Sequence, residues 1–342
     1  MKNFIQHYTG FIRNIRFFHY LYNWLHRKGL KHNEHLYPYY GIKKSLYASI
    51  SHNDFNGMRA KTPWLDGIIS KKDIENHPLF PFFPEEISGQ VLNWQENGYI
   101  IWNNFLSSET ADDINDDIDE LLNKKAVDFN YTGRKIFNAY RQSYTLRKVI
   151  KDKRLLELLS FLLGKKVLPF QTINFLKGSE QEPHSDYIHM STFPQGYLIA
   201  VWLALEDISF EQGPLSYYEQ SHQLPYLTND DYDNSSSRFL LDGNANKKYE
   251  AKVQQLIDTN LLQKKIFTAK KGDVFIWHGN LIHAGEPMLN PALTRKSVVA
   301  HYFAEGVICY HEISERPAIF DTELVGEVKE DFYKGQTHFF DV

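Results

Sequence analysis

The sequence predicts a mostly β fold with flanking helices, built as a jelly roll of two packed sheets. Three observations point there. Six segments with alternating, or β-branched and aromatic, character lie in the second half of the chain, behind helical patterns in the first. The aromatic content is high, with 24 Phe, 21 Tyr and 6 Trp, and flat rings pack well on a pleated surface. Of the 342 residues 42% are apolar and 23% charged, which supports a sizeable core in one barrel carrying extensions.

Along the chain, residues 3–28 come first. Phe4, Tyr8, Phe11, Ile15, Phe18, Tyr22 and Leu25 recur at steps of three and four, so they share one helix face. Lys2, Arg13, Arg16, Arg27 and Lys28 take other positions, and no acid precedes Glu34. A basic helix with an aromatic face can lie in a membrane interface, but the favoured reading is a stripe that packs on the rest of the protein, since most amphipathic helices are docked. Residues 36–90 are rich in aromatics, Pro and Gly without a sustained period, which predicts a long irregular connection.

Gly98 to Leu106 predicts a strand. Ser107, with Glu109 in the first turn, predicts the start of a helix running to about Lys124 on Ile114, Ile118, Leu121 and Leu122. A second helix is expected over 148–163, ended by Gly164. Strands are expected at 167–176, 183–190, 197–206, 214–218, 273–278 and 297–304. The polar cluster from Asn229 to Ser237 predicts an exposed loop, and 248–262 a short helix. The division that follows is an N-terminal helix and irregular extension over 1–90, a jelly-roll domain over 91–320 with an insertion at 223–265, and a tail over 321–342.

Composition narrows the function. A net charge of -4 gives no whole-protein case for nucleic-acid binding. Cys309 is the only cysteine, which rules out an intramolecular disulfide and a zinc site built on thiolates. No run of about 18 apolar residues predicts a membrane span, and the N-terminus does not read as a signal peptide. The expected location is cytoplasmic, with peripheral membrane contact through residues 3–28 left open.

The chemistry centres on Pro183-His184-Ser185-Asp186. In extended chain, residues i and i+2 project from one face, so His184 and Asp186 can grip one ion while Ser185 points away. A histidine from a distant strand would complete a two-His, one-carboxylate facial triad, leaving positions open for a chelating cosubstrate and dioxygen. Roughly 100 residues on, the segment from Lys271 to Gly285 holds two competitors for that place, His278 and His283. Twelve residues beyond His283, Arg295 heads an apolar strand. A guanidinium there wants an anion, because it is costly to bury unpaired. The far carboxylate of 2-oxoglutarate would satisfy it through a bidentate fork.

In this order, His184-x-Asp186, Gly213-Pro214-Leu215 leading to Ser221-His222, Gly272-Asp273, His283 and Arg295 resemble the phytanoyl-CoA dioxygenase family over roughly residues 90–310. Trp202, sixteen residues after Asp186, is similar to a tryptophan near the metal in that family. The resemblance implies a double-stranded β-helix, a cupin-like barrel, holding Fe(II) on His184, Asp186 and His283. Its spacing to Arg295 favours His283 over His278. It further implies 2-oxoglutarate and O2 as cosubstrates, decarboxylation to succinate and CO2, and hydroxylation of an unactivated C–H bond. Arg295 would hold the distal carboxylate and Trp202 would wall the site. Asp186 argues against a halogenase, since related halogenases lack the carboxylate.

The chain departs from the family at two places. Many members carry a small hydroxyl residue two places after the distal histidine, where this chain has Gly285; Thr294 beside Arg295 is the expected substitute. Glu219-Gln220 replaces a Pro-Gly before Ser-His. Gln171 and Asn174, on the strand before the ligand pair, are further candidates for cosubstrate binding, with an edge strand as the alternative explanation of their polarity. His301 is a candidate cavity residue, His222 a turn-fixing one, and strict alternation points His189 to the opposite face. The expected substrate is a small-molecule or conjugated metabolite, lipid- or sugar-linked if the N-terminal helix lies on a membrane. The alternatives are a cupin-like metal-dependent isomerase or hydrolase, which has no use for Arg295, and a non-catalytic jelly-roll binding module.

Overall fold

The computed structural model describes residues 14–237 and 239–334. The first part of the expected 3–28 helix and the end of the expected tail therefore lie outside the described residues. Helices of ten residues or more among them are α1 (Arg16–Leu25), α2 (Ser108–Asn123), α3 (Lys153–Leu163) and α4 (Ala245–Thr259). The Ser107 side chain caps α2 by accepting from the Thr110 amide, and Asp152 caps α3 by accepting from Arg154. Gly164, at φ 64°, ends α3 in the left-handed region. The helix expected over 148–163 is two, Tyr144–Val149 and α3, because Asp152 opens a new helix instead of continuing the first. The 36–90 segment is less irregular than expected. It holds short helices such as Lys71–Glu75 and Glu85–Val91, which bury Ile74, Ile87 and Val91.

The strands are β1 (Tyr99–Trp102), β2 (Ile136–Phe137), β3 (Val167–Phe175), β4 (Ser191–Phe193), β5 (Leu198–Ala204), β6 (Leu215–Tyr218), β7 (Lys264–Phe267), β8 (Val274–His278), β9 (His283–Gly285), β10 (Ser297–Ala304), β11 (Ile308–His311) and β12 (Arg316–Pro317). They form three sheets in the orders β1-β8-β5-β10-β3-β2, β7-β6-β9 and β12-β11-β4. Every pairing is antiparallel. The chain is thus a mixed helix–sheet fold, not a mostly β one, and no closed barrel forms among the described residues. Much of the chain before β3 is helix and turn, which the count of strands in the second half underweights.

Residues 183–190 are not the strand that was expected. His184 makes one antiparallel bridge to His283, and Asp186–Ile188 is a 3-10 turn. The amides of His189 and Met190 bond back to Asp186 O, which ends the extended run after three residues.

Alternation along the central strands gives the large sheet two different faces. Ile199, Val201 and Leu203 of β5, with Val274 and Ile276 of β8, pack in the main core with Ile114, Leu156 and Leu159 from α2 and α3. Ala200, Trp202, Phe275 and Trp277 face the other way and pack with Leu215, Tyr217 and Phe267 of the β7-β6-β9 sheet. Helices therefore brace one face, and the other is free to build a site.

Candidate metal centre

His184, Asp186 and His283 converge between the sheets, all buried, with one ligand atom of each within 4.8 Å of the others. The bridge between His184 and His283 is made by paired backbone bonds of 3.0 and 2.9 Å, which hold the two rings 4.4 Å apart. Ser185 is extended (φ -102°, ψ 144°), so His184 and Asp186 do share a face over these three residues. The His184 Nδ1–H donates to Glu182 O at 2.8 Å, and that of His283 to Leu281 O at 3.0 Å. Each bond fixes the tautomer that leaves Nε2 as the lone-pair nitrogen, 3.8 Å from an Asp186 oxygen.

Electrostatics prepare two of these groups, Asp186 and His184, to bind a cation. Burial alone would raise the Asp186 carboxyl, but the imidazoles of His283, His301 and His184 outweigh it and hold the group well below the usual carboxylate range. Burial, reinforced by His283, holds the His184 imidazole well below its ordinary value and hence neutral. Trp277 Nε1 donates to Asp186 Oδ2 at 2.9 Å, and His301 Nε2 on β10 lies 3.4 Å from that oxygen. Gln181 Nε2 donates to His184 Nε2 at 3.0 Å while its Oε1 accepts from Lys135 at 2.8 Å, so a metal would take the place of the Gln181 bond.

Arg295 lies in the same cavity, 2% exposed. Its backbone amide is fixed to Leu176 O at 2.9 Å, and its guanidinium lies 5.2 Å from the Trp202 ring and 5.9 Å from that of Phe175. It forms no ion pair among the described residues, its Nε has no hydrogen-bond partner, and burial lowers it to about 10. Trp202 Nε1 beside it is equally unpartnered. A buried cation and an indole donor left open side by side make a fitting seat for an anion.

The structure separates the remaining candidates. Gln171 is on the cavity wall, its Nε2 3.4 Å from His301 Nδ1. Asn174 is not: Gln171, Ile173 and Phe175 of β3 face the cavity, and Asn174 points to the opposite side. Thr294 is not on the wall either, because its hydroxyl donates to Glu206 Oε2 at 2.7 Å. His278 is a neighbour bonded to Asp66 at 3.2 Å and to the Asn280 amide at 3.0 Å. His222 bonds not within its own turn but across to Gln95 O at 3.1 Å. His189, expected on the far face, lines the cavity, since the chain turns there instead of alternating; burial lowers it to about 3.

Ser179 escaped the sequence reading. Its Oγ fills the space that a side chain at position 285 would occupy, and it too lines the cavity. Trp277 also went unnoticed, although it sits two residues from Phe275 on the strand that faces the site. The cavity, about 1240 Å³, runs from the metal centre to α1 and to the insertion, where Phe18, Tyr22, Leu241 and Asn246 line it.

The sequence profile of the phytanoyl-CoA dioxygenase family matches residues 94–297. Among solved structures, the 2-oxoglutarate-dependent carbocyclase SnoK from nogalamycin biosynthesis is 16% identical, covering 72% of this chain and 90% of its own, with a TM-score of 0.53. EctD from S. alaskensis with bound Fe is 19% identical, covering 75% and 87%, with a TM-score of 0.50. EctD with 2-oxoglutarate and 5-hydroxyectoine is also 19% identical, covering 72% and 85%, at 0.50. At these identities the likeness speaks for the fold. No curated protein matches the chain.

Proposed function

Because the chain belongs to the phytanoyl-CoA dioxygenase family, we propose that it is an Fe(II)- and 2-oxoglutarate-dependent oxygenase that hydroxylates an unactivated C–H bond of a small-molecule or conjugated metabolite. The observation that carries this reading is Arg295, a buried guanidinium without an anion in the same cavity as a His-Asp-His cluster. A plain metal hydrolase or isomerase has no need of it, and a binding module has no need of the cluster. The EctD structures with Fe and with 2-oxoglutarate lend further support through a shared fold.

On this reading His184, Asp186 and His283 hold the iron. Bound there with 2-oxoglutarate and dioxygen, it supplies oxidative decarboxylation to succinate and CO2 coupled to insertion of one oxygen atom into a C–H bond. Asp186 contributes the one anionic ligand, and Trp277 keeps its carboxylate oriented. Arg295 pairs with the distal carboxylate of the cosubstrate, while Trp202 donates beside it and walls the site. The Ser179 hydroxyl replaces the one that Gly285 lacks. Gln171, beside His301 on the cavity wall, is assigned to contact the bound small molecules. We take the two sheets around the site as an opened double-stranded β-helix, residues 91–320 as the oxygenase domain, and the 223–265 insertion as its lid, since Leu241 and Asn246 close one side of the cavity.

Incubating the iron-loaded protein with 2-oxoglutarate, oxygen and a metabolite extract tests the reading. Oxygen-dependent succinate release and a product that gains one oxygen atom are expected, both abolished in His184→Ala and Asp186→Ala and retained in His278→Asn. A folded, iron-loaded protein that turns over the extract without oxygen or 2-oxoglutarate would contradict it.

A further inference from the structure

Helix α1 is turned inside out relative to a helix docked on its own protein. Its buried residues are polar, His19 and Asn23, and Asn23 Nδ2 donates to Tyr47 O at 3.0 Å. Its apolar residues are the exposed ones: Phe17 is 68% exposed, Leu25 59%, Trp24 45% and Leu21 44%. Positions 17, 21, 24 and 25 fall on one face, so these side chains form a continuous patch. Phe239 and Leu240 of the insertion, also exposed, are held next to it by the bond from the Arg16 amide to Phe239 O at 3.1 Å. A patch of this kind on a monomer surface marks a docking site.

The charges beside it name the occupant. Arg27, Lys28 and Lys31 follow the helix, all exposed and in no ion pair among the described residues, and no acid occurs between Asn14 and Glu34. A second copy docked through this face would bring the same cations toward each other. Anionic lipid headgroups complement them, and exposed Trp and Tyr beside Arg and Lys are the composition of a membrane–water interface. No described helix is long and apolar enough to cross a membrane, so the contact is a lateral one. We propose that α1, with Arg27, Lys28 and Lys31, docks the protein on an anionic bilayer surface. Phe18 and Tyr22 belong both to α1 and to the cavity wall, so docking sets the cavity mouth against the lipid. The docking face stands by itself; only its bearing on substrate entry rests on the oxygenase reading.

The test uses the full chain and phosphatidylcholine vesicles with and without phosphatidylserine, some carrying brominated lipid. Trp24 is the one exposed tryptophan of the six, so quenching of tryptophan emission by brominated lipid reports on α1. Co-sedimentation and quenching are expected only with phosphatidylserine, weakened by salt. Phe17→Ser/Leu21→Ser should abolish both, and Arg27→Gln or Lys28→Gln should lower binding roughly five-fold each. Trp24→Phe should remove the quenching while leaving most of the sedimentation. Two results overturn the proposal: folded protein that sediments with neither vesicle at low salt, or a dimer in sedimentation velocity that Phe17→Ser/Leu21→Ser converts to monomer without any vesicle binding. Vesicle binding needs neither iron nor 2-oxoglutarate, so its failure and that of the oxygenase reading are read separately.

Discussion

Arg295 costs the free protein stability, because nothing among the described residues neutralises its buried charge. Arg295→Met should therefore raise the stability of the cosubstrate-free protein by about 1–3 kcal/mol and weaken 2-oxoglutarate by at least about 2 kcal/mol, roughly thirty-fold. Thermal unfolding with and without 2-oxoglutarate reads both effects, and an unchanged ligand-induced rise in Tm would refute the role. Ser179→Ala should weaken 2-oxoglutarate by about 1 kcal/mol. Gly285→Ser alone should do worse, since Ser179 already fills that space, and Ser179→Gly/Gly285→Ser should restore binding. Calorimetric titration distinguishes the three. The metal cluster was legible in the sequence for two reasons: His184 and Asp186 need only three extended residues, and the family resemblance picks His283 by its spacing to Arg295. The placement of Asn174 off the cavity wall was legible too: it is three residues from Gln171, and one flat strand face cannot carry both. Ser179 was not legible, because its closeness to Gly285 is a contact over more than a hundred residues of chain.

At the scale of elements, the ligand turn is clamped by the insertion. Tyr249 on α4 accepts a hydrogen bond from the Ser185 amide at 2.9 Å, between the two ligands His184 and Asp186, yet lies off the cavity wall. Tyr249→Phe orphans a buried amide at a cost of about 1–3 kcal/mol. It should lower Fe(II) affinity without altering the direct contacts to 2-oxoglutarate. Equal metal affinity in a calorimetric titration would show that α4 only covers the site. The long elements were legible from their own residues: α2 from its serine cap and periodicity, β5 and β10 from buried apolar runs. Strands β2, β4 and β9, of two or three residues each, have no local signal and exist through partners far along the chain. Residues 183–190 misled for the converse reason, as their composition suits a strand but the amides after Asp186 bond back to it.

Across the whole molecule, His52 ties the N-terminal region to the insertion and to the chain just after β11. It lies 2.5 Å from Glu312 and 3.1 Å from Asp230, while the Asn229 amide bonds the same Glu312. Burial opposes its protonation, but Glu312 and Asp230 outweigh that and raise it to about 9. A folded value above the unfolded one, about 6.5, means that protonation favours the fold. The contribution is complete below the unfolded value and is lost as pH rises through about 9. The Tm of the wild type should fall between about pH 6 and about pH 10 more steeply than that of His52→Gln, and parallel profiles would show that the His52 ion pairs do not contribute to this pH dependence. Whether one cavity holds iron and a keto acid on these residues is decided by anaerobic titration with Fe(II) and then 2-oxoglutarate. A weak visible charge-transfer band is expected, absent in His184→Ala and His283→Ala and formed only at higher 2-oxoglutarate in Arg295→Met. Folded wild-type protein that gives no band at any concentration would contradict it.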